Sequence, residues 1–143
     1  MEVILTNMCM VYNSNDEILV LNRTKKTWPG LTFPGGHVEE HEDHLSSVIR
    51  EMKEETGLDV FDLEVVGIYE WNVKDKVREI SILYKTCHYK GELVSSKEGE
   101  VFFIKKEDLK KYKWSLDFDK ILEIYFKSIS CQSKFSFIRR KIF

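Results

Sequence analysis

Glu51, Glu54 and Glu55 crowd three carboxylates into one short span, directly after Arg50 and just before Gly57, with Gly35, Gly36 and Glu42 a little upstream. Like charges on adjacent helical turns repel by about 0.2–0.5 kcal/mol per pair. Glu54 and Glu55 also fall toward the negative end of any helix running through them, where the macrodipole disfavours acids. Helix stability alone would place Lys or Arg there. A bound cation explains the arrangement. Carboxylate oxygens are hard ligands, so the pattern suits Mg²⁺ or Mn²⁺, ions that retain several waters and take further ligands from a substrate phosphate. Arg50, four residues ahead of Glu54, offsets part of the repulsion and holds that side chain in position.

The elements that must position these groups are legible around them. Leu45, Val48, Ile49 and Met52 recur at helical spacing and predict a helix between Asp43 and Gly57. Asp43 suits the N-cap and Gly57 the left-handed residue that ends a helix. At about 100° per residue the three glutamates share a face beside the apolar stripe. Gly35 and Gly36 allow a backbone turn ahead of it. The pair is not a P-loop, because no Gly-Lys-Ser/Thr follows. His37, His41 and His44 do not form His-Glu-x-x-His, and a zinc site is not read from them.

A chain of 143 residues, 43% apolar and 32% charged, is expected to form one domain over 1–143 with a core of its own. A formal net charge of −2 gives no general attraction to a nucleic-acid polymer or an anionic membrane, so a polyanionic ligand needs local help from a cation. Cys9, Cys87 and Cys131 are odd in number and irregularly spaced. They read as reduced thiols of a cytoplasmic protein rather than a disulfide framework. The apolar N-terminus lacks a basic leader, is too short to span a bilayer and reads as a strand. Residues 2–12, 17–23, 31–33, 63–71, 78–89 and 100–105 are β-prone, and Phe118, Ile121, Leu122, Tyr125 and Ile129 predict a helix over 117–129. Strands, helix, strands, helix imply an α/β/α sandwich around a mixed sheet. The C-terminal "KFSFIRRKIF" is basic and aromatic, and reads as a tail, a cover for the sheet or a contact with a second subunit, leaving monomer and homodimer open.

Gly36, Glu42, Arg50, Glu51, Met52, Glu54, Glu55, Gly57 and Leu58 fill every fixed position of a 23-residue pattern over 36–58 that resembles the signature of the Nudix hydrolases. The resemblance implies hydrolysis of a nucleoside diphosphate linked to another group, on an α/β/α fold with a loop-helix-loop catalytic motif. It implies that Glu51, Glu54 and Glu55 ligate Mg²⁺ or Mn²⁺ with the Gly36 carbonyl. Arg50 would orient the glutamates and Glu42 would brace the loop. The general base is Glu54 or a glutamate outside the motif. Glu98 and Glu100 precede an apolar strand, and Glu98 is preferred as that additional ligand or base.

The wider chain looks similar to MutT-type hydrolases, which convert 8-oxo-dGTP to 8-oxo-dGMP and pyrophosphate. On that likeness Arg23 contacts phosphate, Phe33 offers a wall to the base, and Asn7 and Asp119, or its neighbour Asp117, read the purine edge. His37 touches phosphate. ADP-ribose, a nucleotide sugar or a dinucleoside polyphosphate is the alternative substrate, and a non-catalytic nucleotide sensor the alternative class.

Overall fold

The computed structural model describes residues 1–24, 29–115 and 117–127, and the backbone of 136–139. Ten strands and two α-helices follow in the order β1 (Glu2–Val11), β2 (Glu17–Arg23), β3 (Gly30–Thr32), β4 (Gly35–His37), α1 (His44–Thr56), β5 (Asp59–Val60), β6 (Glu64–Lys74), β7 (Val77–Thr86), β8 (Tyr89–Lys90), β9 (Gly99–Lys105), α2 (Phe118–Phe126) and β10 (Ser136–Arg139), with a 3-10 turn at Lys106–Lys111 before α2. The main sheet has the order β10-β6-β7-β1-β4. It is mixed, because β1 runs parallel to β7 but antiparallel to β4. A second sheet, β3-β2-β9, lies beside it, and β5 and β8 make a short ribbon.

Alternation along the strands divides the interior in two. Cys9 and Val11 of β1 pack with Leu19, Val48, Met52 and Tyr84 on the side of α1. Met10 points the other way, into a cluster with Phe33, Leu83, Phe118, Ile124 and Tyr125 on the side of α2. The strands are therefore sandwiched between the helices, the architecture expected from element order.

Helix α1 forms and stops as its ends dictate. Asp43 Oδ1 accepts from the Ser46 N–H at 2.7 Å, and Gly57, at φ 80°, closes the helix by donating to the Lys53 carbonyl. Its buried face differs from the predicted stripe at one end. Leu45 is 48% exposed, whereas Ser47 and Glu55 are inside. Strand β6 continues three residues beyond the predicted 63–71, through Asn72 to Lys74, before a tight turn in which Lys76 has φ 61°. Trp71 and Val73 share one face of the strand, and Asn72 between them turns to the other, where it is 8% exposed and accepts from Arg78 Nε at 3.2 Å. Helix α2 ends at Phe126; residues 128 and 129 of the predicted helix, Cys131 and most of the C-terminal tail lie outside the described residues. Cys9 and Cys87 are free thiols. Among the described residues no helix is long and apolar enough to cross a membrane.

Two registers bring the acidic segment to a cleft. Asn7↔Gly36 and Met8↔Gly35 dock the Gly-Gly strand on the middle of β1. A side chain at Gly35 would collide with the backbone of Asn7 and Met8, so the approach requires glycine. Arg23↔Gly99 then sets the end of β2 beside the residue just ahead of β9, which is Glu98.

Candidate functional site

Arg50 organises the turn into α1. Its Nε and Nη2 form a fork on Glu42, at 2.9 Å to Oε2 and 2.6 Å to Oε1. Nη1 donates to Glu51 Oε1 and to Glu54 Oε2, each at 3.1 Å. Nη2 also reaches the His37 carbonyl at 3.1 Å. Every N–H of the guanidinium thus has a partner, which fixes its plane and the side chains around it. Glu42 also accepts from the Glu39 N–H at 2.9 Å. The Arg50 hydrogen bonds, with that backbone N–H, bring its carboxyl down to about 2. Glu42 is therefore a brace for the loop, as its place in the motif implies.

Glu51, Glu55 and Glu98 face the cleft under less comfortable conditions, whereas Glu54 is exposed and does not line it. Glu55 is 7% exposed, and its Oε2 accepts from the Gly35 N–H at 3.0 Å. Burial pushes its carboxyl up to about 8; the Gly35 bond opposes the rise, and the charges of Glu51, Glu98 and Glu54 add to it. Burial also raises Glu51, against the pull of Arg50. The Glu51 carboxyl lies so close to Gly36 that a Cβ there would overlap it. Glu98 is half-buried in the loop before β9 and lines the same cleft, whereas Glu100 is exposed and does not.

These donors are all oxygens, Glu55 is buried and Glu51 and Glu98 half-buried, and they repel one another, which is the chemistry that a hard divalent cation relieves. Among the described residues no three acidic, His or Cys side chains already converge on a common point. Arg50 draws Glu51 and Glu54 to itself, and the Gly35 N–H holds Glu55. The donor set fits the ion in kind, and the ligands must turn from these internal partners to meet it.

The cleft holds about 510 Å³. One end carries Gly36, Glu51, Glu55, Glu98 and Arg23; the other is lined by Tyr69, Trp71 and Val73 of β6, Glu79 and Ser81 of β7 and Thr6 of β1, with Asp117 just ahead of α2 and Phe118 and Ile121 within it. Arg23 is half-buried on its wall, and His37 is exposed between the two ends.

At the base end Asp119 needs correction, whereas Phe33 and Asn7 line the cleft while being engaged from behind it. Phe33 touches the cleft but is 2% exposed. It stands edge-on to Trp114, Phe118 and Tyr125 with centroids 5.9, 5.1 and 5.0 Å away. It is a pillar beneath the cleft rather than a free wall. Asn7, 3% exposed, commits its carbonyl to the Gly36 N–H at 3.2 Å and its amide to Ser47 Oγ at 2.8 Å. Its polarity ties the Gly-Gly strand to α1. Asp119 is exposed and outside the cleft, while Asp117 lines it. The first residue of α2, Phe118, turns into the core, and about 100° per residue carries Asp119 away to solvent.

Glu79, Trp71 and Thr6 were not anticipated. Their signal lay in alternation: Glu79 and Ser81 continue the face of Leu83 and interrupt it with polar groups, as Thr6 does on β1.

The sequence profile of the NUDIX domain matches residues 5–123. An ADP-ribose pyrophosphatase of Methanocaldococcus jannaschii is 32% identical over 123 residues, covering 82% of this chain and 70% of that protein. The uncharacterized Nudix hydrolase YvcI of Bacillus subtilis is 31% identical over 96 residues, 64% of this chain; the chain spans only 60% of that relative's length. A crystal structure of a mutator MutT protein from Bacillus halodurans superimposes with a TM-score of 0.78 over 97% of this chain and 91% of that one, at 23% identity, a likeness of fold. With the domain match spanning both the Arg50–glutamate cluster and the cleft it borders, this chain belongs to the Nudix hydrolases.

Proposed function

We propose that this chain hydrolyses a nucleoside triphosphate to the monophosphate and pyrophosphate, with 8-oxo-dGTP as the substrate and Mg²⁺, or Mn²⁺ in its place, as the cofactor, in the cytoplasm. The observation that carries the reading is the cleft itself, about 510 Å³, whose lining joins the carboxylates of Glu51, Glu55 and Glu98 to the aromatic side chains of Tyr69 and Trp71. Glu51, Glu54, Glu55 and Glu98, with the Gly36 carbonyl, would hold the metal. When bound it neutralises phosphate charge and makes water more acidic. Arg23 meets the phosphate chain from the cleft wall, and His37, which also lines the cleft, touches it as well. Glu54, held by Arg50 yet with its side chain 57% exposed, takes the proton from the attacking water; Glu98 is the other carboxylate placed to do so.

Hydrolysis of ADP-ribose is the second reading, favoured by the M. jannaschii relative. The two are separated by assaying 8-oxo-dGTP, dGTP and ADP-ribose with Mg²⁺ and identifying both products. The expected result is the highest kcat/KM on 8-oxo-dGTP, giving 8-oxo-dGMP. Faster release of AMP and ribose 5-phosphate from ADP-ribose would transfer the assignment to the second reading.

A pH dependence accompanies it. Because burial holds the Glu55 carboxyl up to about 8, a proton competes with the metal below that pH and leaves above it. The Mg²⁺ concentration giving half-maximal activity should fall as pH rises from 6.5 toward about 8.5, with the rate rising on the alkaline side. A metal requirement that is flat across this range, or a rate maximum near pH 5, would contradict it.

A further inference from the structure

The floor of the cleft carries a carboxylate for which the phosphate chemistry has no use. Glu79 stands on β7 directly across from Trp71 of β6, and both line the cleft. It is half-buried, and Thr6 Oγ1 donates to its Oε2 at 3.1 Å. The charge it feels comes from His37, and among the described residues no Lys or Arg pairs with it. Burial pushes its carboxyl above the ordinary range, with the Thr6 bond and His37 opposing. A half-desolvated carboxylate with one donor is costly unless a ligand supplies others. Two oxygens offer about four acceptor sites, so both can still receive a ligand. His37 is felt by Glu51 as well as by Glu79, which joins this floor to the acidic end of the cleft.

We propose that Glu79 is the specificity-determining residue for the nucleobase, its two oxygens accepting a parallel pair of N–H donors from the base edge while Trp71 covers the ring. This rests on the reading that the cleft takes a nucleotide, and it names the base. Guanine, oxidised at C8 or not, presents N1–H and an exocyclic N2–H side by side. Adenine and cytosine present an acceptor beside a donor, and thymine and uracil a donor flanked by acceptors. A carboxylate accepts only, so it matches the guanine edge and is left with a lone pair facing a lone pair on the others. Thr6 acts as a positioning residue by fixing the carboxylate plane.

Glu79→Gln keeps the shape and replaces one acceptor with a donor. The ratio of kcat/KM for 8-oxo-dGTP to that for dATP should fall about ten- to a hundredfold. In a second arm, 8-oxo-dGMP and dAMP are titrated calorimetrically in EDTA, where no hydrolysis occurs. The wild-type protein should favour 8-oxo-dGMP and the variant should lose that preference. Equal losses on both bases, or an unchanged ratio, would overturn the assignment. If the wild-type protein hydrolyses no nucleoside triphosphate yet the EDTA titration shows the predicted loss, the hydrolytic reading fails and Glu79 stands. If hydrolysis proceeds with base preference untouched by the substitution, Glu79 fails alone. Should Glu79→Gln not fold, Thr6→Val, which leaves the carboxylate in place but unheld, decides: the same ratio falls, or the proposal is wrong.

Discussion

Glu54→Gln should leave a folded protein whose hydrolysis at saturating Mg²⁺ is slower by roughly 10²–10⁴-fold. The amide keeps the size of the side chain but loses both the charge that holds a cation and the basicity that accepts a proton. The fold loses little, because the Glu54 side chain is 57% exposed and its partner is the Arg50 guanidinium; an exposed ion pair of this kind is worth about 0–1 kcal/mol. Arg50 keeps its fork on Glu42, so the loop before α1 stays braced. Thermal melting and steady-state kinetics on the same sample separate the two effects. Full turnover in a variant with unchanged melting would remove Glu54 from the chemistry and leave Glu98 as the base.

The second large effect is on stability, and its direction is unusual for an active-site carboxylate. Glu55 titrates at about 8 in the folded chain, against about 4.3 for an unfolded glutamate. Between those values the folded state retains a proton that the unfolded state has released, so stability falls as pH rises through this window and the whole loss is in place above about 8. At about 1.4 kcal/mol per pH unit the loss amounts to a few kcal/mol. Glu55→Gln carries no charge at any pH and can still accept from the Gly35 N–H. In EDTA at pH 8.5 the variant should therefore melt at a higher temperature than the wild-type protein, and the two should converge near pH 4. Added Mg²⁺ should raise the melting temperature of the wild-type protein far more than that of the variant, since the buried charge is what the cation relieves. A variant that melts lower than wild type in EDTA at pH 8.5 would show that the Glu55 charge is already compensated within the chain.

What could be read in the sequence was local. The 3.6-residue period, Asp43 and Gly57 define α1 almost to the residue, because caps and periodicity act within one helix. That Glu51 and Glu55 turn toward the cleft beside Gly36 follows from that helix and from the fixed spacing to the glycine. Groups that meet across the fold were not legible in the same way. Asn7 is polar because the register Asn7↔Gly36 puts a backbone N–H in front of it, and no local pattern announces that register. Asp119 and Asp117 are both acids near one helix start; which faces the cleft depends on where the helix begins, and a shift of one residue turns a side chain by about 100°. Glu79 is one alternating polar residue in a strand until three neighbouring strands make it the floor of a cleft.

The central claim is that this cleft breaks a nucleoside triphosphate between its first two phosphates with the help of a divalent cation. The most direct measurement is phosphorus NMR of 8-oxo-dGTP incubated with metal-stripped protein, first in EDTA and then with Mg²⁺ in excess. The account predicts no change in EDTA, followed on addition of Mg²⁺ by equal amounts of 8-oxo-dGMP and pyrophosphate, with no orthophosphate. Release of orthophosphate and a nucleoside diphosphate, or cleavage that proceeds undiminished in EDTA, would contradict it.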